Sequence, residues 1–251
     1  MLCGTNMTDI KISNRSAILR LLHEAGAMSR KQIAARLKLT PATITVIINE
    51  LMNESILVEG NSVPNAGAVG RREVMVEISR EKYVALGLAL SQGLVKFTVV
   101  NLHGEIIHEE TFKLPEILTP EYFAETIGRQ IQLKIASYGY SENFIIGIGI
   151  TVCGVVDFAN GIILDSDGIW EEKNVPIVKM FRKQFSFPVI AANNVRSYAN
   201  AYAFLQHDSQ LQNMLFIRNE GGLAHFERAV LWRRQESCCR NCSFYSRSQW
   251  T

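Results

Sequence analysis

Several features are scarce or missing in this 251-residue sequence. No stretch approaches the ~18 consecutive apolar residues of a membrane span, and the N-terminus lacks the charged-then-apolar layout of a signal peptide. The five cysteines are odd in number and do not have the spacing of a disulfide framework, so we expect reduced thiols and a cytoplasmic location. The 26 basic and 24 acidic residues leave a net charge of only +2, so charge has to be judged segment by segment.

The first eighty residues carry the signals of three short helices. Apolar residues at helical spacing predict a first helix from Asn14 to Glu24: Ile18, Leu21, Leu22 and Ala25. Ser29, with Gln32 three residues later, forms a capping-box pattern that predicts the start of a second helix. Thr40 followed by Pro41 predicts the start of a third.

The third helix has two different faces. Its apolar stripe is predicted to be buried: Ile44, Ile47, Ile48 and Leu51. The opposite face is small and uncharged: Ala42, Thr43, Thr45, Val46 and Asn49. Short side chains allow a helix backbone to approach base edges in the major groove. The preceding helix and turn carry residues placed to neutralise phosphates: Arg30, Lys31, Arg36 and Lys38.

A β-wing is predicted after the recognition helix, which we place at about residues 40–53. Two short strands, at residues 56–59 and 74–78, flank a glycine-rich loop that ends in two arginines, and such a loop suits a narrow minor groove. Three-helix units also occur in proteins that bind no DNA, but the ordered helices, strands and basic loop favour DNA. The candidate DNA-binding residues are Ser29, Arg30, Lys31, Thr40, Pro41, Ala42, Thr43, Thr45, Asn49, Arg71 and Arg72.

Residues 14–19, 29–34, 39–45 and 70–72 together resemble the N-terminal domain of ROK-family repressors, which are sugar-responsive regulators that include the xylose repressors. The resemblance implies a winged helix-turn-helix domain over residues 10–80, with the wing at about 56–78. It also implies a double-stranded DNA operator, a sugar effector and a homodimer as partners. Repression of carbohydrate genes, with xylose utilisation as one candidate, is the function that this resemblance implies.

From residue 83 onward, predicted strands and helices alternate, which is typical of a layered α/β domain. Residues 147–157, 174–176 and 192–194 resemble motifs in the first lobe of the ROK fold, which is actin-like and ribonuclease-H-like. The resemblance runs to residue 222 and implies an incomplete sensor or kinase lobe. The expected fold class is therefore α/β overall, with an N-terminal winged helix-turn-helix.

Two departures from the ROK kinases argue against an enzyme. The kinases hold ATP phosphates with an acidic, glycine-paired turn, whereas residues 89–93 lack the acidic residue and the paired glycines. The family's catalytic aspartate is replaced by Asn194, whose amide cannot accept a proton at neutral pH. We expect no catalytic residue and no cofactor; a ROK sugar kinase with an added N-terminal domain is the disfavoured alternative.

Asn193 and Asn194 have two possible roles. The resemblance implies that they bind a sugar effector through hydrogen bonds, while their position at a strand–helix junction equally suits a helix cap. The sequence leaves both roles open.

Residues 223–251 show no sustained periodicity, and we expect an atypical, disordered or frameshifted tail in a truncated sensor domain. Cys238, Cys239 and Cys242 lack the paired spacing and the fourth ligand of a structural zinc site, so we predict no metal. A degraded fragment that regulates nothing is a third possible interpretation of the chain.

Overall fold

The protein is described from a computed structural model over residues 7–60, 73–91, 93–115, 119–205, 213–218, 228–233 and 243–245. The chain divides into two compact units. The first contains Met1–Val84 and Val100–Glu105, and the second contains Ala85–Val99 and Ile106–Thr251.

The first unit combines three helices with a small sheet. Its elements are α1 (Met7–Ala25), β1 (Met28–Ser29), α2 (Arg30–Leu37), α3 (Pro41–Asn53), β2 (Leu57–Glu59) and β3 (Met75–Ile78). The two predicted N-caps are confirmed: the Ser29 and Gln32 side chains form a reciprocal capping box, and Thr40 caps α3 with Pro41 at its start. The predicted start of α1 at Asn14 is wrong by seven residues, because the helix begins at Met7.

One apolar core joins the three helices to the sheet. The predicted stripe of α3 is confirmed as part of it, with Ile44, Ile47, Ile48 and Leu51 at most 3% exposed. Ile18 and Leu22 of α1, Ile33 of α2, and Leu57 and Val76 of the strands complete its centre. This burial fixes which face of α3 is turned outward, because a helix with one buried stripe cannot rotate without exposing it.

The strands form a three-stranded sheet in the order β1-β3-β2. β3 pairs antiparallel with β2, with Leu57 opposite Ile78, which confirms the strand pair expected for the wing. β3 also pairs with β1, with Met28 opposite Val76. β1 was not predicted from the sequence, and it links the start of α2 directly to the wing strand.

The second unit is a layered α/β structure, as predicted. Its elements are β4 (Val84–Ser91), β5 (Leu94–Asn101), β6 (Ile106–Lys113), α4 (Pro120–Ser137), a 3-10 turn (Glu142–Phe144), β7 (Ile145–Val152), β8 (Val155–Asp157), β9 (Ile162–Asp165), α5 (Ile177–Arg182), β10 (Val189–Asn193), α6 (Asn194–Leu205), β11 (Asn213–Arg218), β12 (Arg228–Arg233) and β13 (Ser243–Tyr245). The main sheet has the order β10-β7-β4-β5-β6, and β10 runs parallel to β7. Fully buried Phe97, Phe123 and Phe181 belong to the core of this unit.

Two local features of the second unit are not evident from the sequence. α5 begins only at Ile177, because Val175 forms an isolated bridge with Ile163 and Asn174 has a positive φ of 58°. The antiparallel hairpin of β8 and β9 was not predicted at all.

Two strands, β12 and β13, lie within residues 223–251. β12 pairs antiparallel with β11 and with β13 in a three-stranded sheet. The expectation of an atypical, disordered or frameshifted tail stays a prediction. The run Ala229-Val230-Leu231-Trp232 has strand-forming residues, but it is too short to show a period.

In the described part of the chain, no helix has both the length and the apolar character required to cross a bilayer.

Candidate nucleic-acid interface

Helix α3 presents an exposed and uncharged surface. Ala42, Thr45, Val46 and Asn49 are exposed, and Val46 is 56% accessible although it is apolar. Thr43 is half-buried beside them. The structure therefore turns outward the face that the sequence predicted, with its side chains fixed by the burial of the opposite stripe.

Grooves flank this surface on both sides. One groove, of about 430 Å³, separates α3 from α2 and is lined by Arg30, Lys31, Ala34, Ala35, Leu39, Pro41 and Thr45. The other, of about 500 Å³, separates α3 from α1 and is lined by Ile10, Lys11, Asn14, Ala42, Thr43, Val46 and Ile47. Between two grooves α3 forms a ridge, which is the shape that a helix needs to enter a major groove.

The threonine hydroxyls of α3 already bond within the helix. Thr45 Oγ1 donates to the Pro41 carbonyl at 2.8 Å. Thr40 Oγ1 accepts from the Thr43 backbone N–H at 3.2 Å and lies 2.9 Å from Thr43 Oγ1. Because its proton is used inside the helix, Thr45 can offer a partner its methyl group and an oxygen acceptor, which match a thymine methyl or a base amino group.

Acidic side chains of α3 are turned towards α1. Lys11 Nζ lies 2.7 Å from Glu50, and Arg15 bonds Glu54 at 2.5 Å and Glu50 at 3.5 Å. The hydrogen bond from Lys11, followed by the charges of Lys11 and Arg15, lowers the pKa of Glu50. These ion pairs neutralise carboxylates that would repel phosphate, and Lys11 lies in the part of α1 that precedes its predicted start. No local pattern predicts the pairs, because they join residues that are 35 or more positions apart.

Arg30 lies against α3 and extends across to its third turn. Its Nη2 donates to Asn49 Oδ1 at 3.3 Å and lies 3.5 Å from Met52 Sδ, and its Nε is buried. Two predicted DNA-binding residues are thus brought together by the packing of α2 on α3. Lys31, next in sequence, is exposed.

Ser29 needs a correction as a DNA-binding candidate. It is only 3% exposed, and its Oγ accepts from the Gln32 N–H at 3.3 Å. The Gln32 side chain accepts in return from the Ser29 N–H at 2.8 Å. A buried hydroxyl that is occupied as a helix cap is not available to a phosphate. Arg71 and Arg72 lie outside the described residues.

In the second unit, Asn193 caps helix α6, and Asn194 is the first residue of that helix. Asn193 is 4% exposed; its Nδ2 donates to the Gly154 carbonyl at 2.7 Å, and its Oδ1 accepts from the Val195 N–H at 2.9 Å. Asn194 Nδ2 lies 2.9 Å from Cys153 Sγ, and its Oδ1 accepts from the Val195 N–H at 2.8 Å. Of the two open roles, the bonds of Asn193 favour the cap.

Gly154 is required at this junction. Its φ is 134°, and a Cβ there would overlap the carbonyl oxygen of Asp165. Only glycine adopts this backbone conformation without a side chain that would meet the Asp165 carbonyl. Gly154 can therefore lie close to β9 while its own carbonyl accepts the hydrogen bond from Asn193. The residues that resemble ROK motifs thus serve local structure in this unit.

Ala89 and Ser91 lie in the stretch that the resemblance aligns with the phosphate turn of the ROK kinases. Ala89 is an exposed residue of β4, and Ser91 Oγ bonds the Leu94 carbonyl at 3.3 Å across the following turn. Over the described residues, histidine, cysteine and carboxylate side chains nowhere gather in a group of three that could hold a metal ion.

Taken together, a capped helix-turn-helix with a strand pair, followed by an α/β unit, defines a winged helix-turn-helix regulator architecture. Comparison with known proteins agrees with this. Residues 13–58 match a family described as winged helix-turn-helix DNA-binding, and residues 86–223 match the ROK family. The chain belongs to the ROK family.

Two curated relatives are transcription regulators. The DNA-binding transcriptional dual regulator NagC of Escherichia coli strain K12 is 26% identical over 217 residues, which are 86% of this chain and 52% of that protein. The xylose repressor of Caldicellulosiruptor bescii is 23% identical, over 84% of this chain and 52% of the repressor. The chain therefore spans about half the length of the curated relatives that it matches.

A crystal structure supports the same fold. It is described as a ROK family transcriptional regulator homologous to the E. coli MLC protein, and it superimposes with a TM-score of 0.67 at 24% identity, covering 82% of this chain and 51% of that one.

Proposed function

We propose that this chain is a DNA-binding transcription regulator, a repressor of carbohydrate-utilisation genes, and not an enzyme. The observation that carries the proposal is the α3 ridge: an exposed, uncharged helix face between two grooves, with Glu50 and Glu54 paired away from it. A kinase or a metabolite-binding protein has no need of such a ridge, whereas a protein that enters the major groove does.

The proposed DNA-binding residues divide by role. Lys31, Arg71 and Arg72 neutralise phosphates, and Arg30 contributes charge beside them. The side chains placed to contact base edges are Ala42, Thr43, Thr45 and Asn49, with exposed Val46 added by the structure. Thr40 and Pro41 set the start of α3 and so fix its depth in the groove.

The ROK unit acts as the sensor half of the proposed regulator. Its effector is a sugar, and its partner in operator binding is a second copy of the chain in the cytoplasm. The names of the relatives support this, since they include an N-acetylglucosamine repressor and a xylose repressor. The missing phosphate turn at Ala89 and the amide at Asn194 support the absence of kinase activity.

Binding of the full chain to DNA tests the proposal. Labelled duplexes that tile the upstream region of its own gene are titrated at several salt concentrations, with and without xylose, glucose or N-acetylglucosamine. We expect one duplex to bind more tightly than scrambled DNA, with an affinity that falls steeply with salt, and one sugar to change it. If no duplex shows salt-sensitive binding, the proposal is wrong.

A further inference from the structure

Asn49 lies on the exposed face of α3, and its amide orientation is set by Arg30. The Arg30 Nη2 donates to Asn49 Oδ1 at 3.3 Å. A guanidinium has only donors, so the amide must turn its oxygen towards Arg30. The Nδ2 group, with its two N–H donors, then points away from Arg30.

Arg30 is itself held in place. Its Nε is buried without a hydrogen bond, and its Nη2 also lies 3.5 Å from Met52 Sδ. The guanidinium of this α2 residue is therefore held against α3 by Asn49 and Met52. Turning the Asn49 amide around would place its N–H groups against the donors of Arg30, which is unfavourable.

The four bases differ in the groups that they present to Asn49 and Arg30 in the major groove. Guanine presents two acceptors, N7 and O6, whereas adenine presents one acceptor, N7, and an amino donor; thymine presents one acceptor, O4, and cytosine an amino donor. An asparagine that is free to turn binds adenine through one donor and one acceptor. Here the acceptor already faces a cation, and the side chain together with Arg30 offers mainly donors.

On the proposed function above, we infer that Asn49 selects guanine, and that Arg30 is the positioning residue that disfavours adenine. The signature is one operator position at which guanine, with its two acceptors, is preferred to adenine, and at which cytosine is rejected.

Selection from a randomised duplex pool with the full chain tests this inference. Asn49→Ala identifies the position, because its base preference is lost there. In the wild-type protein we expect guanine to exceed adenine at that position by about tenfold. Arg30→Met, which keeps length but has no donor, should raise adenine to near equality with guanine. Arg30→Lys, which keeps a cationic donor, should retain the preference for guanine.

Matched variants separate this effect from a loss of charge or of fold. Arg36→Met removes an exposed arginine from the same helix and should leave the base profile unchanged. Asn49→Asp, which offers only acceptors, should shift the preference towards the amino bases, and it tests the donor role even if Arg30→Met unfolds.

The results that overturn the inference are specific. It is wrong if the wild type selects adenine at the Asn49 position, if Asn49→Ala flattens no position, or if folded Arg30→Met keeps the preference for guanine. If the wild type binds no duplex in a salt-sensitive manner, the proposed function fails and the inference fails with it.

Discussion

Replacing Ser29 with alanine distinguishes a helix cap from a DNA contact. The change removes the Oγ that accepts from the Gln32 N–H at 3.3 Å, at a site only 3% exposed. Loss of an N-cap costs about 0.5–2 kcal/mol, and burial of Ser29 hinders water from replacing its hydroxyl, so we expect about 1.5 kcal/mol. For a unit of this size that lowers the unfolding midpoint by roughly 6–12 °C.

Thermal unfolding of the full chain, followed by circular dichroism, measures this shift in the transition of the first unit. Thr40→Ala is the matched control, because it removes the cap of α3 at an exposed site and should cost less, about 0.5–1 kcal/mol. DNA affinity measured well below the transition should be unchanged in Ser29→Ala. An unchanged unfolding midpoint together with weaker DNA binding would refute the role of Ser29 as a helix cap and would support a direct contact of Ser29 with DNA.

Three further predictions follow from the structure. Lys31→Ala should weaken binding to all duplexes and reduce the slope of log affinity against log salt by about 1. Lys179→Ala, in the second unit, is the control and should change neither quantity. A loss of affinity confined to one sequence would contradict the phosphate-binding role of Lys31. Asn193→Ala removes the hydrogen bonds to the Gly154 carbonyl and from the Val195 N–H. It should lower the free energy of unfolding of the second unit by about 1–3 kcal/mol in urea unfolding. An unchanged free energy would contradict the role of Asn193 as a helix cap. Neither the wild type nor Asn194→Asp should release ADP from ATP with hexoses or pentoses, because the turn at Ala89 lacks its acidic residue; sugar-dependent release would revive the kinase alternative.

A pH dependence follows from the α1–α3 ion pairs. The pKa of Glu50 is lowered from 4.5, chiefly by the hydrogen bond from Lys11. A carboxyl group with a lowered folded pKa stabilises the fold above its unfolded pKa and loses that contribution as the pH falls through the folded value. The first unit should therefore melt at a lower temperature below pH 4.5, and Glu50→Gln should reduce this acid sensitivity. Equal acid sensitivity in the wild type and in Glu50→Gln would show that the ion pairs of Glu50 contribute nothing to the stability of the first unit.

The parts of the fold that were predictable depend on neighbours in the sequence. The capping box at Ser29 and the Thr40-Pro41 start of α3 are local signals, and both are confirmed. The buried stripe of α3 follows from its helical period in the same way. These local rules were enough to predict which face of the recognition helix is exposed.

The parts that were missed depend on distant partners. α1 extends to Met7 where Lys11 reaches Glu50, 39 positions away, and no local signal marks that extension. β1 has two residues and exists only through its pairing with β3. The bond from Arg30 to Asn49 likewise joins two helices, so the sequence could name both residues but not their contact.

The shared use of Ser29 has a consequence for engineering. This residue ends β1, opposite Met75 of the wing strand, and also caps α2. Since side chains alternate along a strand, inserting a single residue before it would turn the hydroxyl to the other side and disconnect helix and sheet together. A chimaera that receives α2 and α3 from a relative should therefore receive β3 from the same relative. A graft of the two helices alone would separate Ser29 from its partner strand.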